Sequence, residues 1–148
     1  MAESKFEDAD SKLGEGGDVV AVDITRIEVT PNECPVGDPL TLEMDFSVDR
    51  PVVDARWKVS YMVDSVSARH IIELGEVTVP EYTPGANTFR FSVPSVDVSG
   101  IKPSRLTNAG LLTASLTGNG GDVIDVKMVV QVMKDGEGYI RTVFNPLE

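Results

Sequence analysis

Trp57-Lys58-Val59-Ser60-Tyr61 decides the fold class of this chain. Trp57, Val59, Tyr61 and Val63 alternate with Arg56, Lys58, Ser60 and Met62. An apolar/polar period of two is what a strand buried on one face requires. Upstream, Leu40, Leu42, Met44, Phe46 and Val48 alternate with Thr41, Glu43, Asp45, Ser47 and Asp49. Downstream, Phe89, Phe91 and Val93 alternate with Thr88, Arg90 and Ser92. One core-facing stripe on each of several strands predicts two sheets packed face to face. Trp57 invites comparison with the buried tryptophan of immunoglobulin sandwiches; without paired cysteines it reads as a large aromatic core filler.

Turn residues divide the rest at regular spacing. Val20, Val22, Ile24, Ile27 and Val29 form a first strand with an irregularity near Thr25, the mark of a bulge. Residues 31–39 are dense in proline, asparagine and glycine and read as a turn. Asp49-Arg50-Pro51 turns into the tryptophan strand, 56–63, and residues 69–79 form the next, with a kink at Gly75. Thr83-Pro84-Gly85 leads into strand 87–93. Residues 94–108 read as loop with one helical turn before Ala109. Strand 110–117 ends in Gly118-Asn119-Gly120-Gly121, a tight hairpin signal, and is followed by strands 122–133 and 139–144. About eight strands with turns at this spacing are the signature of an all-β, two-sheet antiparallel sandwich. Residues 1–18 are polar, acidic and closed by glycines, so a flexible acidic tail is expected there, with the sandwich domain spanning 19–148.

A chain of 148 residues suggests one domain, which at this size buries about 70% of its unfolded surface without a disulfide staple. Cys34 is the single cysteine and has no intramolecular partner, which fits a reducing compartment, nucleus or cytoplasm. No segment approaches the ~20 apolar residues of a membrane span, and the acidic N-terminal segment lacks the apolar run of a secretory signal. The net charge of −11 opposes direct binding of nucleic acid or anionic lipid, and steers basic proteins, histones among them, toward the surface.

Catalytic chemistry finds no foothold. His70, the one histidine, has no second ligand at metal spacing. Cys34 has no base near it in sequence. Gly118-Asn119-Gly120-Gly121 lacks the lysine of a phosphate loop, and Asp122, Asp125, Asp135 and Glu137 do not follow the spacing of a calcium loop. No cofactor is expected, and the chain reads as a non-enzymatic monomeric scaffold whose surfaces carry its work.

The residues resemble a known family. Trp57-Lys58-Val59-Ser60-Tyr61, then Gly85-x-x-x-Phe89-x-Phe91, then Ile101 followed by Asn108-Ala109-Gly110-Leu111-Leu112-Thr113, are similar in order and spacing to the anti-silencing-function histone chaperones. The resemblance covers roughly residues 22–135. It implies an immunoglobulin-like sandwich that binds the histone three–four dimer on a concave sheet face through a valine, an arginine and a tyrosine. The valine position falls on Leu111 or Thr113, the arginine on Asp125 or Lys127, the tyrosine on Val129 or Gln131. A two-residue slide keeps side chains on one face, so the implied surface is the same either way. A family acidic patch for other chaperone partners maps to Asp54, which matches, and Arg56, which reverses the charge. The family's binding aspartate falls near Arg69–Ile71 and is not matched.

Periodicity alone selects the same face. With Val126, Met128, Val130 and Val132 inward, Val129 points out beside Asp125, Lys127 and Gln131; with Leu112, Ala114 and Leu116 inward, Leu111 points out. Two apolar residues among polar ones on paired strands form a candidate protein-binding patch. Two other functions use such a fold. One is a lipid-cargo carrier of the prenyl-binding or Rho-inhibitor type, which needs a hollow between the sheets. The other is a structural module of a cytoskeletal or ciliary assembly.

Overall fold

Leu40, Leu42, Met44, Phe46 and Val48 are all buried, and each residue between them is half-exposed. The period-two reading therefore holds along that whole strand in the computed structural model, which describes residues 19–67 and 69–147. The acidic tail expected at residues 1–18 lies outside the described residues. Among the described residues nine strands and one helical turn follow in chain order: β1 (Val22–Thr30), β2 (Cys34–Pro35), β3 (Leu40–Val48), β4 (Val52–Val63), β5 (His70–Tyr82), β6 (Gly85–Val93), α1 (Pro103–Leu106), β7 (Gly110–Gly118), β8 (Gly121–Asp135) and β9 (Gly138–Val143). They form a three-stranded sheet, β1-β3-β6, and a six-stranded sheet, β2-β9-β8-β7-β4-β5, with antiparallel neighbours throughout. The chain is the two-sheet sandwich that its alternation specifies.

The core centres on Trp57, none of whose surface is exposed. Its indole stacks on Phe89 of the small sheet at 4.6 Å between centroids and meets Phe46 edge-on at 5.7 Å. Its Nε1 donates to Tyr82 Oη at 3.0 Å, and Tyr82 meets Phe46 edge-on at 5.0 Å. The indole thus spends its one donor inside the core, as a buried tryptophan requires. Between the sheets, Leu40, Tyr61, Leu112 and Val143 border a void of only about 10 Å³.

Several elements depart from the sequence reading, each for a local reason. β4 starts at Val52, not at residue 56. Asp54 has φ 55°, in the left-handed region, so Val52 and Ala55 both face inward three residues apart and the alternation breaks. β5 continues through Pro80 to Tyr82 because it is an edge strand, where a missing N–H costs no ladder bond. His70, which falls within the expected strand 69–79, opens β5 and is exposed. The turn-rich segment 31–39 contains the two-residue β2, which covers part of β9. The bulges near Thr25 and Gly75 are present. Gly75 is needed for space: a Cβ there would lie 2.8 Å from Phe91 Cε1. The β7–β8 hairpin turns on Asn119 and Gly120, both at positive φ (53° and 82°), the primed geometry expected of Asn-Gly.

Arg141 of β9 is 2% exposed and forms no ion pair with a carboxylate among the described residues. Its guanidinium donates to three backbone carbonyls, Val36 and Asp38 through Nη1 (2.8 and 2.9 Å) and Pro39 through Nη2 (2.6 Å). It therefore pins the 36–39 loop beneath the sandwich, and burial lowers its affinity for the proton.

Two stability measurements check this core. Trp57→Ala should cost roughly 3–5 kcal/mol in denaturant unfolding, the usual price of emptying a large aromatic site. A cost below about 1 kcal/mol would place the indole at the surface. Arg141→Ala should cost roughly 3 kcal/mol, since it leaves three carbonyls without their donor.

Candidate functional site: the outer face of the six-stranded sheet

Strand register builds one apolar row across this face. Ile71 pairs with Met62, Met62 with Leu111, and Leu111 with Val129. Phe144, just past β9, donates its N–H to Val129 O at 2.9 Å and extends the row. Ile71, Val129 and Phe144 are 55%, 48% and 48% exposed, while Met62 and Leu111 are half-buried. Gly110 lets β7 sit close against β4 here, since a Cβ on it would lie 2.5 Å from Met62 O. At the same end, Asp64 is buried and accepts from Arg105 Nη1 at 3.0 Å and from Ser67 Oγ at 2.8 Å. That network ties α1 to the β4–β5 turn and fixes the end of the sheet.

Polar rows flank the apolar one. Ser60, Thr113 and Lys127 are cross-strand neighbours, as are Lys58, Ser115 and Asp125. On the other side Gln131 pairs with Thr142, and beyond it exposed Met133 pairs with Ile140. The fold thus gathers six of the seven expected residues, Leu111, Thr113, Asp125, Lys127, Val129 and Gln131, on one face. Asp54 does not join them. It lies eight residues before Met62 on β4, about 26 Å of strand away, exposed at its left-handed position. Met62, Ile71 and Phe144 were not singled out from sequence. Met62 and Ile71 are apolar residues in the outward phase of their strands, and that was the available signal.

The opposite face of the molecule has another character. On the small sheet Arg26 Nε donates to Asp45 Oδ2 at 2.8 Å, Arg26 Nη1 contacts Glu28 at 2.9 Å, and Arg90 contacts Glu43 at 3.3 Å. The hydrogen bond from Arg26 holds the Asp45 carboxyl below the usual carboxylate range. Charges there are matched among themselves, and the apolar row lies on the large sheet.

The one cysteine and the one histidine are too far apart to work as a pair. Cys34 lies on β2 and His70 on β5, the two edges of the six-stranded sheet, five strand spacings or about 24 Å apart. Burial pushes the Cys34 thiol up, away from thiolate. Among the described residues no group of three or more His, Cys, Asp or Glu could hold a metal ion.

With the fold and face in place, the comparisons with known proteins are decisive on family. Residues 19–138 match the family described as ASF1 like histone chaperone. The chain belongs to that family. It is 28% identical over 117 residues to Histone chaperone ASF1 of Yarrowia lipolytica, covering 78% of this chain and 44% of that protein. It is 31% identical over 108 residues to Histone chaperone ASF1 of Kluyveromyces lactis, covering 71% of this chain and 38% of that protein. The chain therefore matches less than half the length of these relatives.

The Cys34 geometry has a direct readout. A thiol reagent at pH 8 should label the native protein slowly and the urea-unfolded protein completely, because burial both shields the sulfur and disfavours the thiolate. Equal rates in the two states would contradict the buried position.

Proposed function

We propose that this chain is a non-enzymatic histone chaperone module that docks a helix of the histone three–four dimer on the outer face of the six-stranded sheet. One observation carries the reading: the row Ile71–Met62–Leu111–Val129–Phe144, an apolar stripe running across the strands in a chain of this family. An amphipathic helix laid along such a stripe buries its apolar face against it. Thr113, Lys127, Asp125 and Gln131 stand beside the stripe as the polar rim, where hydrogen bonds and charges set register and partner choice. The net charge of −11 favours encounter with a basic partner. The same charge opposes direct nucleic-acid binding. The working location is the nucleus or cytoplasm, with the chain acting as a monomer. Asp54, far from the row, would serve a second protein partner. Carriage of a lipid between the sheets is disfavoured, since Trp57, Phe46, Phe89 and Tyr82 fill that space.

The test is Leu111→Glu combined with Val129→Glu. Both positions point out of the core, so folding stability should change by no more than about 1 kcal/mol. Affinity for the recombinant histone three–four dimer should fall by more than about tenfold, chiefly through a faster off-rate, because two charges now sit where apolar surface must be desolvated. Unchanged dimer affinity would remove this face as the interface.

A further inference from the structure

The β4–β5 bulge leaves a depression of about 380 Å³ on this face, directly beside the apolar row. We propose that this depression is a socket for one arginine side chain of the docked partner, with Glu73 receiving its guanidinium; this rests on the docking reading above.

The depression follows from strand register. Ser60 pairs with Glu73 and Val59 with Gly75, so β5 carries one extra residue. Two residues, Leu74 and Gly75, therefore separate the outward side chains Glu73 and Glu76, where an unbulged strand has one. Neither of the two reaches outward, since Leu74 packs against the core and Gly75 backs onto Phe91, and Lys58, Ser60 and Ser115 form the far wall. Ile71 belongs both to this lining and to the apolar row, so socket and row are continuous.

Charge selects the occupant. Glu76 lies 3.7 Å from Arg56 and 4.0 Å from Lys58, so its charge is already partly offset. Among the described residues no cation or donor pairs with Glu73. An apolar side chain seated here would desolvate an unpaired carboxylate, and an acidic one would add repulsion. A cation removes both costs. Arginine fits better than lysine: its methylenes can lie along Ile71 while its planar fork binds a carboxylate with two N–H groups. Glu73 stands two residues along β5 from Ile71, about 6.6 Å. That offset places the arginine on the flank of the partner helix's apolar stripe, one helical turn or less from an apolar anchor.

Two measurements test the socket, one of them independent of any partner. In a titration with N-acetylarginine amide followed by backbone amide shifts, saturable changes should appear at residues 58–60, 73–76 and 115. They should vanish in Glu73→Gln, and N-acetylleucine amide should not produce them. Changes spread over the molecule's other glutamates, or none at all, would overturn the proposal. In the second measurement Glu73→Arg should weaken binding of the histone three–four dimer by about tenfold or more with melting temperature unchanged. Glu81→Arg, the same charge change farther along β5, should weaken it far less. Equal losses in the two variants would reduce the effect to net charge and overturn the socket. If the unmodified chain ignores the dimer while the amide titration saturates at Glu73, the histone partner falls and the socket stands.

Discussion

The stacking of Trp57 on Phe89, with Phe46 and Tyr82 closing around the indole, fixes the phase of everything else. Aromatic pairs in these geometries add about 0.5–1.5 kcal/mol each beyond their buried area, and here they span the two sheets. Once Trp57 faces inward, Lys58, Ser60 and Met62 face outward. Register passes that choice along: Trp57 lies opposite Leu116 of β7, and Leu116 opposite Ile124 of β8. The outward placing of Leu111 and Val129 is thus a geometric consequence of one indole on another strand.

The rims of the sandwich are finished by side chains that imitate backbone. Asn32 donates Nδ2 to Val143 O and accepts from Val143 N, each at 2.9 Å, as a neighbouring strand would. Asn119 accepts from Val53 N at 2.8 Å and donates to Pro51 O at 3.1 Å, and Asn145 donates to Ile27 O at 2.7 Å. Together with β2, Asn32 covers much of the β9 edge. The β5 edge is managed otherwise, by a bulge, Pro80 and exposed Glu73, Glu76 and Glu81. The outer face of the large sheet, rather than its edges, is the surface left open.

The regular strands were legible because burial on one face writes a period of two into the sequence, as Leu40–Val48 shows. Where the backbone turns left-handed, at Asp54, the period breaks and the start of β4 disappears from view. β2 could not be read because two residues carry no period. Arg141 was invisible for a different reason: its carbonyl partners lie more than a hundred residues away, and an arginine in a strand reads as surface. On the candidate face, strand phase pointed to Leu111 and Val129, the positions that the family resemblance also implied. Ile71 was noticed only as a mismatch to an expected aspartate. That it lengthens an apolar row appears once β5 is registered against β4.

β7 and β8 carry two messages on alternate residues. Leu112, Ala114, Leu116, Val126, Met128 and Val130 speak to the core; Leu111, Thr113, Lys127 and Val129 lie on the outer face proposed for docking. No residue serves both, so substitutions can edit either message alone, and the docking surface can drift toward a new partner with little folding penalty. Insertion is another matter. One added residue inside β7 would turn Leu111 and Thr113 inward and Leu112 outward, scrambling both messages at once. The length of these strands is therefore constrained more tightly than their composition. A lineage of such proteins should diverge by replacing letters on the outer phase while holding the letter count between its turns.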